Sequence, residues 1–496
     1  MNPEVSSGIA RAASLCLRFI LVLSGVLGAG QATEAVIEAP LAMVARVCSG
    51  CHTVPSPEVL PQHTWSPIVS IMRQHLSEAR IPFSSVELEQ VRAYYLAHSS
   101  PELPTIPDDY GEPGLKFQTL SVGLPSPGER PEVSSLRFVD LDGDGSEDDI
   151  IVTDNLLSAV SWLRLEQGEW VETIIGEFSA PVNTTPLDYN GDGHLDLVVS
   201  SMGFMRPNDE LIGELHILQA NGDGTFQSRR ILEGVPRITD CAPADYDGDG
   251  DIDFVVAMFG WRKTGAIGYL EQVRLDQFTL STPVTINGVM RVIANESNGD
   301  GRPDFVALLS QQHEAVMQFV NQGDGLFRST LIFPAKHPAF GSSSIHIADL
   351  DGDGDDDIIA TNGDTMDEYP EPKPYHGVRW LENQGGSYTV HELAKMPGCY
   401  DAETIDLDGD GDLDIVFSSL NFFWPDHDFP SLAWLENQGG AKSFAPRRLA
   451  YAPTNLATIA VGDANGDGLP DIIGGGMHVP GPLDRIGRLT LWLGQK

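Results

Sequence analysis

The sequence predicts an all-β ring of seven four-stranded units behind a small all-α unit, and three observations carry that expectation. An acidic pattern, Asp-x-Asp-Gly-Asp-Gly-x-x-Asp, begins at positions 140, 188, 245, 296, 349, 406 and 463, at intervals of 48 to 57 residues. Each copy lies between short apolar stretches, such as Ile345-His-Ile-Ala348 before it and Phe254-Val-Val256 after it. The ends of the repeat region are complementary. The last unit lacks a fourth strand, and a strand-like segment without a unit precedes the first.

From the N-terminus, Arg11 and Arg18 precede the apolar run Phe19–Leu27, and Gly28, Ala29 and Gly30 lead to Ala32. A charged start, a short apolar centre and a small-residue end predict a secretory leader over residues 1–32, cleaved after Ala32. Retention as an anchor is the alternative, but the run is short for a spanning helix. No other stretch is long and apolar enough to span. The mature chain is therefore expected to be periplasmic or secreted, with no membrane span after processing.

Residues 33–100 hold Cys48-Ser49-Gly50-Cys51-His52. Two thiols three positions apart can each form a thioether with a haem vinyl group, and the adjacent imidazole then reaches the iron. A thioredoxin-like pair would need a βαβ setting. A zinc site would need a second Cys or His pair, and Cys16, Cys241 and Cys399 are isolated. The motif resembles that of monohaem cytochromes c, which implies one covalent haem c.

Downstream, Trp65, Ile68, Val69, Met72 and Leu76 share one helical face. Ser84 and Ser85, followed by Glu87 and Glu89, open a second helix that runs to His98. With a helix before Cys48 this predicts a three-helix haem domain. Met72 is the expected sixth ligand, a soft thioether that raises the potential; His63 or His75 would instead give bis-histidine ligation. The expected cofactor residues are thus Cys48, Cys51, His52 and Met72. The Pro-rich residues 101–114 read as a semi-rigid linker.

In the repeats, the apolar flanks predict strand, acidic turn, strand. Third strands recur as Trp380-Leu-Glu-Asn383 and Trp434-Leu-Glu-Asn437, and fourth strands as Phe226–Leu232 and Phe444–Leu449. Four strands, seven times, predict a seven-bladed β-propeller over residues 115–496. Leu115–Leu120 is expected to supply the strand missing after Arg488–Leu493 and so remove an open edge.

These repeats resemble the FG-GAP or VCBS family of integrin-alpha-like propellers, a resemblance that implies several bound Ca²⁺. The residues agree, since carboxylates at positions 1, 3, 5 and 9 offer hard oxygens to one cation and glycine at position 6 permits the turn. An EF-hand would need a Glu at position 12 and flanking helices. The expected ligands are Asp140, Asp142, Asp144 and Asp148; Asp188, Asn190, Asp192 and Asp196; Asp245, Asp247, Asp249 and Asp253. The fourth to seventh sets are Glu296, Asn298, Asp300 and Asp304; Asp349, Asp351, Asp353 and Asp357; Asp406, Asp408, Asp410 and Asp414; Asp463, Asn465, Asp467 and Asp471. Loops with Asn, or with Glu296, are expected to bind more weakly.

The formal charge of −41 excludes a phosphate-binding surface, and with it nucleic acid as partner. Sparse Lys and Arg disfavour an anionic membrane surface. Opposite the acidic turns, long connections such as Met205–Asp209 and Trp261–Lys263 are expected to form a ligand face, with Asp240, Asp401, His346, His376, Trp424 and His427 as candidates. Ser135, Asn183, Asp240, Arg291, Ser344, Asp401 and Thr458 would ring the channel mouth. Two functions follow. One is an electron-transfer protein whose propeller docks a redox partner or binds a carbohydrate. The other is a haem-coupled periplasmic oxidoreductase acting on a sugar or alcohol at that rim.

Overall fold

The computed structural model describes residues 41–50, 52–323, 325–364, 372–420, 429–478 and 487–496. The expected leader, Cys51, Trp424 and His427 lie outside the described residues. Among those described, no helix is long and apolar enough to cross a membrane.

Three helices come first: α1 over described residues 41–48, α2 at Gln62–Glu78 and α3 at Ser85–His98. The expected N-terminal signal of α3 is a full capping box. Ser84 Oγ accepts the Glu87 N–H at 3.2 Å, and the Glu87 carboxylate accepts the Ser84 N–H at 2.7 Å. The apolar face of α2 packs Trp65 flat on Tyr95 of α3, with ring centroids 3.9 Å apart. Val44 and Val47 of α1 complete this small core.

The remaining strands form seven four-stranded antiparallel sheets. In each blade the second strand, for example Asp149–Asp154 or Asp414–Ser419, is buried along its whole length. It is flanked by its own sheet and by the next blades, which is why these strands read as continuous apolar runs. The core accordingly lies between blades: Ile151, Val160 and Trp162 of blade one pack on Leu197, Val199 and Leu218 of blade two. The first strands face one another around the axis. All seven carry a register shift at the same place, from Val133/Ser135 in blade one to Leu456/Thr458 in blade seven. Seven aligned bulges turn the next residue of each first strand toward the axis.

The ring closes as the sequence predicts. Lys116–Ser121 pairs antiparallel with Leu489–Gln495 and completes the last blade. A buried clamp fastens the seam. Arg488 donates to Asp154 at 2.8 Å and, through both terminal nitrogens, to Glu172 at 2.7 and 2.9 Å. Glu172 also accepts the Leu124 N–H at 2.6 Å, just beyond the closing strand.

The Pro-rich segment is fastened rather than free. Gly111 N–H donates to the Pro446 carbonyl at 2.9 Å, and the Arg448 N–H returns to Gly111 at 3.1 Å. Tyr110 is buried in the core of blades five and six. The segment thus covers the exposed outer edge of blade six.

Arg488→Met is expected to cost about 3–5 kcal/mol, because it strands two buried carboxylates. Denaturant midpoints check this against Arg92→Met, which removes an exposed pair with Glu89 and should cost well under about 1 kcal/mol.

Candidate functional site

A cavity of about 590 Å³ lies between the helices and the propeller rim opposite the acidic turns. Its helical wall contains Cys48, His52, Ile68, Val69, Met72, His75 and Tyr95. Cys48 ends α1, and burial pushes its thiol up to about 11. Gly50 packs close to Ile81, whose Cδ1 would stand 2.7 Å from a Cβ there. The His52 Nδ1 lies 2.7 Å from the Thr53 carbonyl. A carbonyl can only accept, so Nδ1 carries the proton and Nε2 keeps its lone pair, the form a metal ligand requires. Burial also lowers the imidazole's proton affinity. Thiol, unprotonated ring nitrogen, thioether and apolar walls fit a covalently attached haem, and the volume suits a cofactor site. His63 is exposed and is not among the described lining residues.

The opposite wall comes from rim connections of blades three to five: Trp261, Arg262, Lys263, Gln311, Gln312, Glu314, Pro338, Ala339, Gly341, Asp364 and Lys373. Arg262 bridges the halves, reaching Glu78 at 3.2 Å and His75 Nε2 at 3.2 Å. Tyr375 donates to the Val59 carbonyl at 3.3 Å. Asp209 organises the Trp261–Thr264 turn from blade two. Its Oδ1 accepts the N–H groups of Trp261, Arg262, Lys263 and Thr264 at 2.8–3.1 Å. Burial opposes ionisation of Asp209, but those donors together hold its carboxyl down to about 2.

On the far rim the seven acidic loops share one frame. The first side chain accepts the N–H of the sixth-position glycine, from Gly145 to Asp140 at 3.0 Å through Gly301 to Glu296 at 2.6 Å and Gly468 to Asp463 at 2.8 Å. Those glycines have φ between 79° and 98°, a left-handed conformation that a side chain would strain. Four loops bring three carboxylate oxygens within 4.8 Å of one another: Asp140/Asp142/Asp144, Asp245/Asp247/Asp249, Asp349/Asp351/Asp353 and Asp406/Asp408/Asp414. Such donor sets fit a hard divalent cation.

The ninth-position aspartate has a second duty. Asp196, Asp253, Asp304, Asp357, Asp414 and Asp471 are buried, and each accepts a backbone N–H from the end of the third strand at 2.7–2.8 Å. In blade one the residue after the ninth position, Asp149, holds this place, accepting from Leu141 N–H at 2.9 Å and Trp162 Nε1–H at 2.6 Å. One extra residue after Gly145 moves the latch along by one.

The polar ring around the axis is paired in local groups. Ser135 donates to Asn183 at 2.9 Å, and the Asn183 amide reaches Asp240, which pairs with Arg291 at 3.3 Å. His346 contacts Thr404 at 2.9 Å and Glu403 at 3.1 Å. Burial disfavours the His346 cation, yet the facing Glu403 and Asp401 raise its proton affinity above the ordinary value. Asp401 accepts the Ile459 N–H at 3.1 Å. Asp240, Asp401 and His346 therefore do meet around the axis, but as partners in ion pairs and backbone bonds. His376, expected on the rim, is buried instead and accepts the Gly398 N–H at 3.2 Å. It immediately precedes the third strand Gly377–Asn383, which draws it into the blade.

Sequence reasoning did not single out Glu314, Lys373 or the clustering role of Asp209. They come from different repeats and share one rim only in the folded ring. The length of the rim connections was their one sequence signal.

Residues 44–113 match the family described as Dihaem cytochrome c, and residues 140–199, 204–256 and 298–360 match the FG-GAP-like repeat. No curated protein matches the chain. The N-terminal helices are thus a cytochrome c domain, whose class carries covalent haem, and the propeller carries FG-GAP repeats. The sequence has one Cys-x-x-Cys-His.

Glu314 provides a pH test. Burial pushes its carboxyl up to about 8 from 4.5. The folded state therefore binds more protons than the unfolded state across that window, and stability falls as pH rises, by at most about 1.4 kcal/mol per pH unit. Glu314→Gln should remove this contribution, so the variant gains on the wild type from pH 4.5 to 8. Denaturation midpoints against pH check it; parallel profiles would show that the carboxyl is not held neutral.

Proposed function

We propose that the chain is an extracytoplasmic electron-transfer protein with one covalent haem c, attached through Cys48 and Cys51. His52 is the proximal ligand and Met72 the sixth, and the calcium-stabilised propeller is the docking platform for a redox partner. The cavity supports this reading, because Cys48, His52 and Met72 line one space. A bound haem supplies one-electron chemistry. The chain's own residues hold it: His52 presents Nε2, the α2 face excludes water, and the rim covers the remaining side. His75 also lines the cavity, but its Nε2 faces Arg262 at 3.2 Å, which favours Met72. The single Cys-x-x-Cys-His supports one attached haem.

A second reading, a haem-coupled oxidoreductase, gains from one observation. The first strands that carry Asp240, Asp401 and His346 begin at the rim that also bears the cavity-lining connections. Sugars or alcohols added to the oxidised protein decide: electron transfer alone predicts no reduction without a partner, whereas turnover would establish the oxidoreductase.

Met72→Ala is expected to open the iron to exogenous ligands, and Met72→His to lower the reduction potential. Optical spectra and potentiometry check both, with His75→Ala as the comparison. An unaltered Met72→Ala spectrum beside an altered His75→Ala spectrum would reassign the ligand.

Several Ca²⁺ bound in the acidic loops should stabilise the propeller by mass action, so chelation should lower Tm. The same Tm after verified calcium removal would overturn a structural role for the cation. Asp351→Asn should weaken that dependence more than Asp463→Asn, because loop seven already carries Asn465.

A further inference from the structure

The two walls of the cavity differ in charge. Among the described lining residues, the helical wall contains no lysine or arginine, and its one carboxylate is Glu78. The propeller wall brings Arg262, Lys263 and Lys373. It also brings Asp364 and Glu314, but the Glu314 carboxyl keeps its proton to about pH 8. Three basic side chains therefore line that side beside Asp364 and Glu314, with Glu78 opposite and in contact with Arg262.

A haem is asymmetric in the complementary sense. One edge bears the vinyl groups that take the thiols, and another ends in two propionate carboxylates. Carboxylates placed against apolar walls need charged donors. The described helical wall offers none.

The propeller's donors are also set in advance. Asp209 Oδ1 gathers the four successive N–H groups of Trp261–Thr264 and the Thr264 hydroxyl at 3.1 Å. Gly260 permits the tight turn: its φ is 60°, and a Cβ there would lie 1.7 Å from the Thr264 carbonyl oxygen. The Arg262 guanidinium lies over the Trp261 ring, 3.9 Å from its centroid. Lys373 is 1% exposed and lines the cavity.

We propose that the propeller completes the haem site in cis, with Arg262, Lys263 and Lys373 forming the cationic wall that takes the haem's propionate carboxylates. Asp209 is not among the described lining residues and is a positioning residue for the first two cations. The inference rests on the haem reading above and assigns the second domain a part in setting the potential.

The test uses full-length protein with its haem attached. Arg262→Gln/Lys263→Gln should make the haem about tenfold harder to reduce, a drop of about 59 mV for a one-electron couple. The pH dependence of the potential should move toward neutral pH as the propionates lose their partners. Adding Lys373→Gln should lower the potential further. The charge-conserving Arg262→Lys/Lys263→Arg should restore it, and Asp209→Asn should lower it with both cations still present. Glu78→Gln breaks the same contact between the domains but keeps the cations, so it must not lower the potential. An unchanged potential and pH profile in the double variant, with a normal c-type spectrum, would overturn the proposal. So would a fall in Glu78→Gln equal to that of the double variant, since docking rather than charge would then be responsible. Absence of a c-type spectrum from the unmutated protein would instead defeat the haem reading itself.

Discussion

Closure of the ring is the constraint on which the rest depends. Seven sheets packed face to face have their core between blades, so a gap at one seam exposes apolar faces on both sides. The closing pair, Lys116–Ser121 on Leu489–Gln495, removes that gap, and the buried Arg488 clamp ties its two sides together. Asp209 lies on blade two and the turn it organises on blade three, while Glu314 and Lys373 belong to blades four and five. Only a fixed ring keeps such residues in one register against the helices.

The molecule separates its charges by rim. Acidic turns occupy one end of every blade, where aspartates crowd within hydrogen-bonding reach of their own backbone. The cavity occupies the other end, where the lining cations collect. With exposed charges screened over about 8 Å at physiological salt, the acidic rim contributes little to the field at the cavity. The local wall decides that field. An overall charge of −41 is thus a poor guide to what the cofactor experiences.

Features that repeat were legible in the sequence. The seven-fold pattern, the buried second strands and the missing strand all follow from periodicity, because each blade solves the same packing problem. That Met72 lines the cavity was legible for the same reason, as part of a helical face shared with Trp65 and Val69. What resisted reading was set by long-range contact or by a local slip in count. Asp149 holds the latch of blade one because one residue was added after Gly145. His376 is buried because its strand starts one residue later. The cationic wall is assembled from connections in separate repeats, and no local pattern announces that Lys263 and Lys373 face one cavity.

Pairing the first strand of the propeller with residues 489–495 also fixes an order of events. Lys116 emerges early and Gln495 late, so the contact with the greatest sequence separation is also the one that seals the ring. The helices build most of their core from one another and can be complete long before. Until the seam closes, the segment that leads from the helices to blade six is a tether without an anchor, because its edge strand, Phe444–Ala450, arrives late as well. A haem attached early would then wait in a half-built pocket with one side open to solvent. Maturation of the cofactor site would be timed by the far end of the chain.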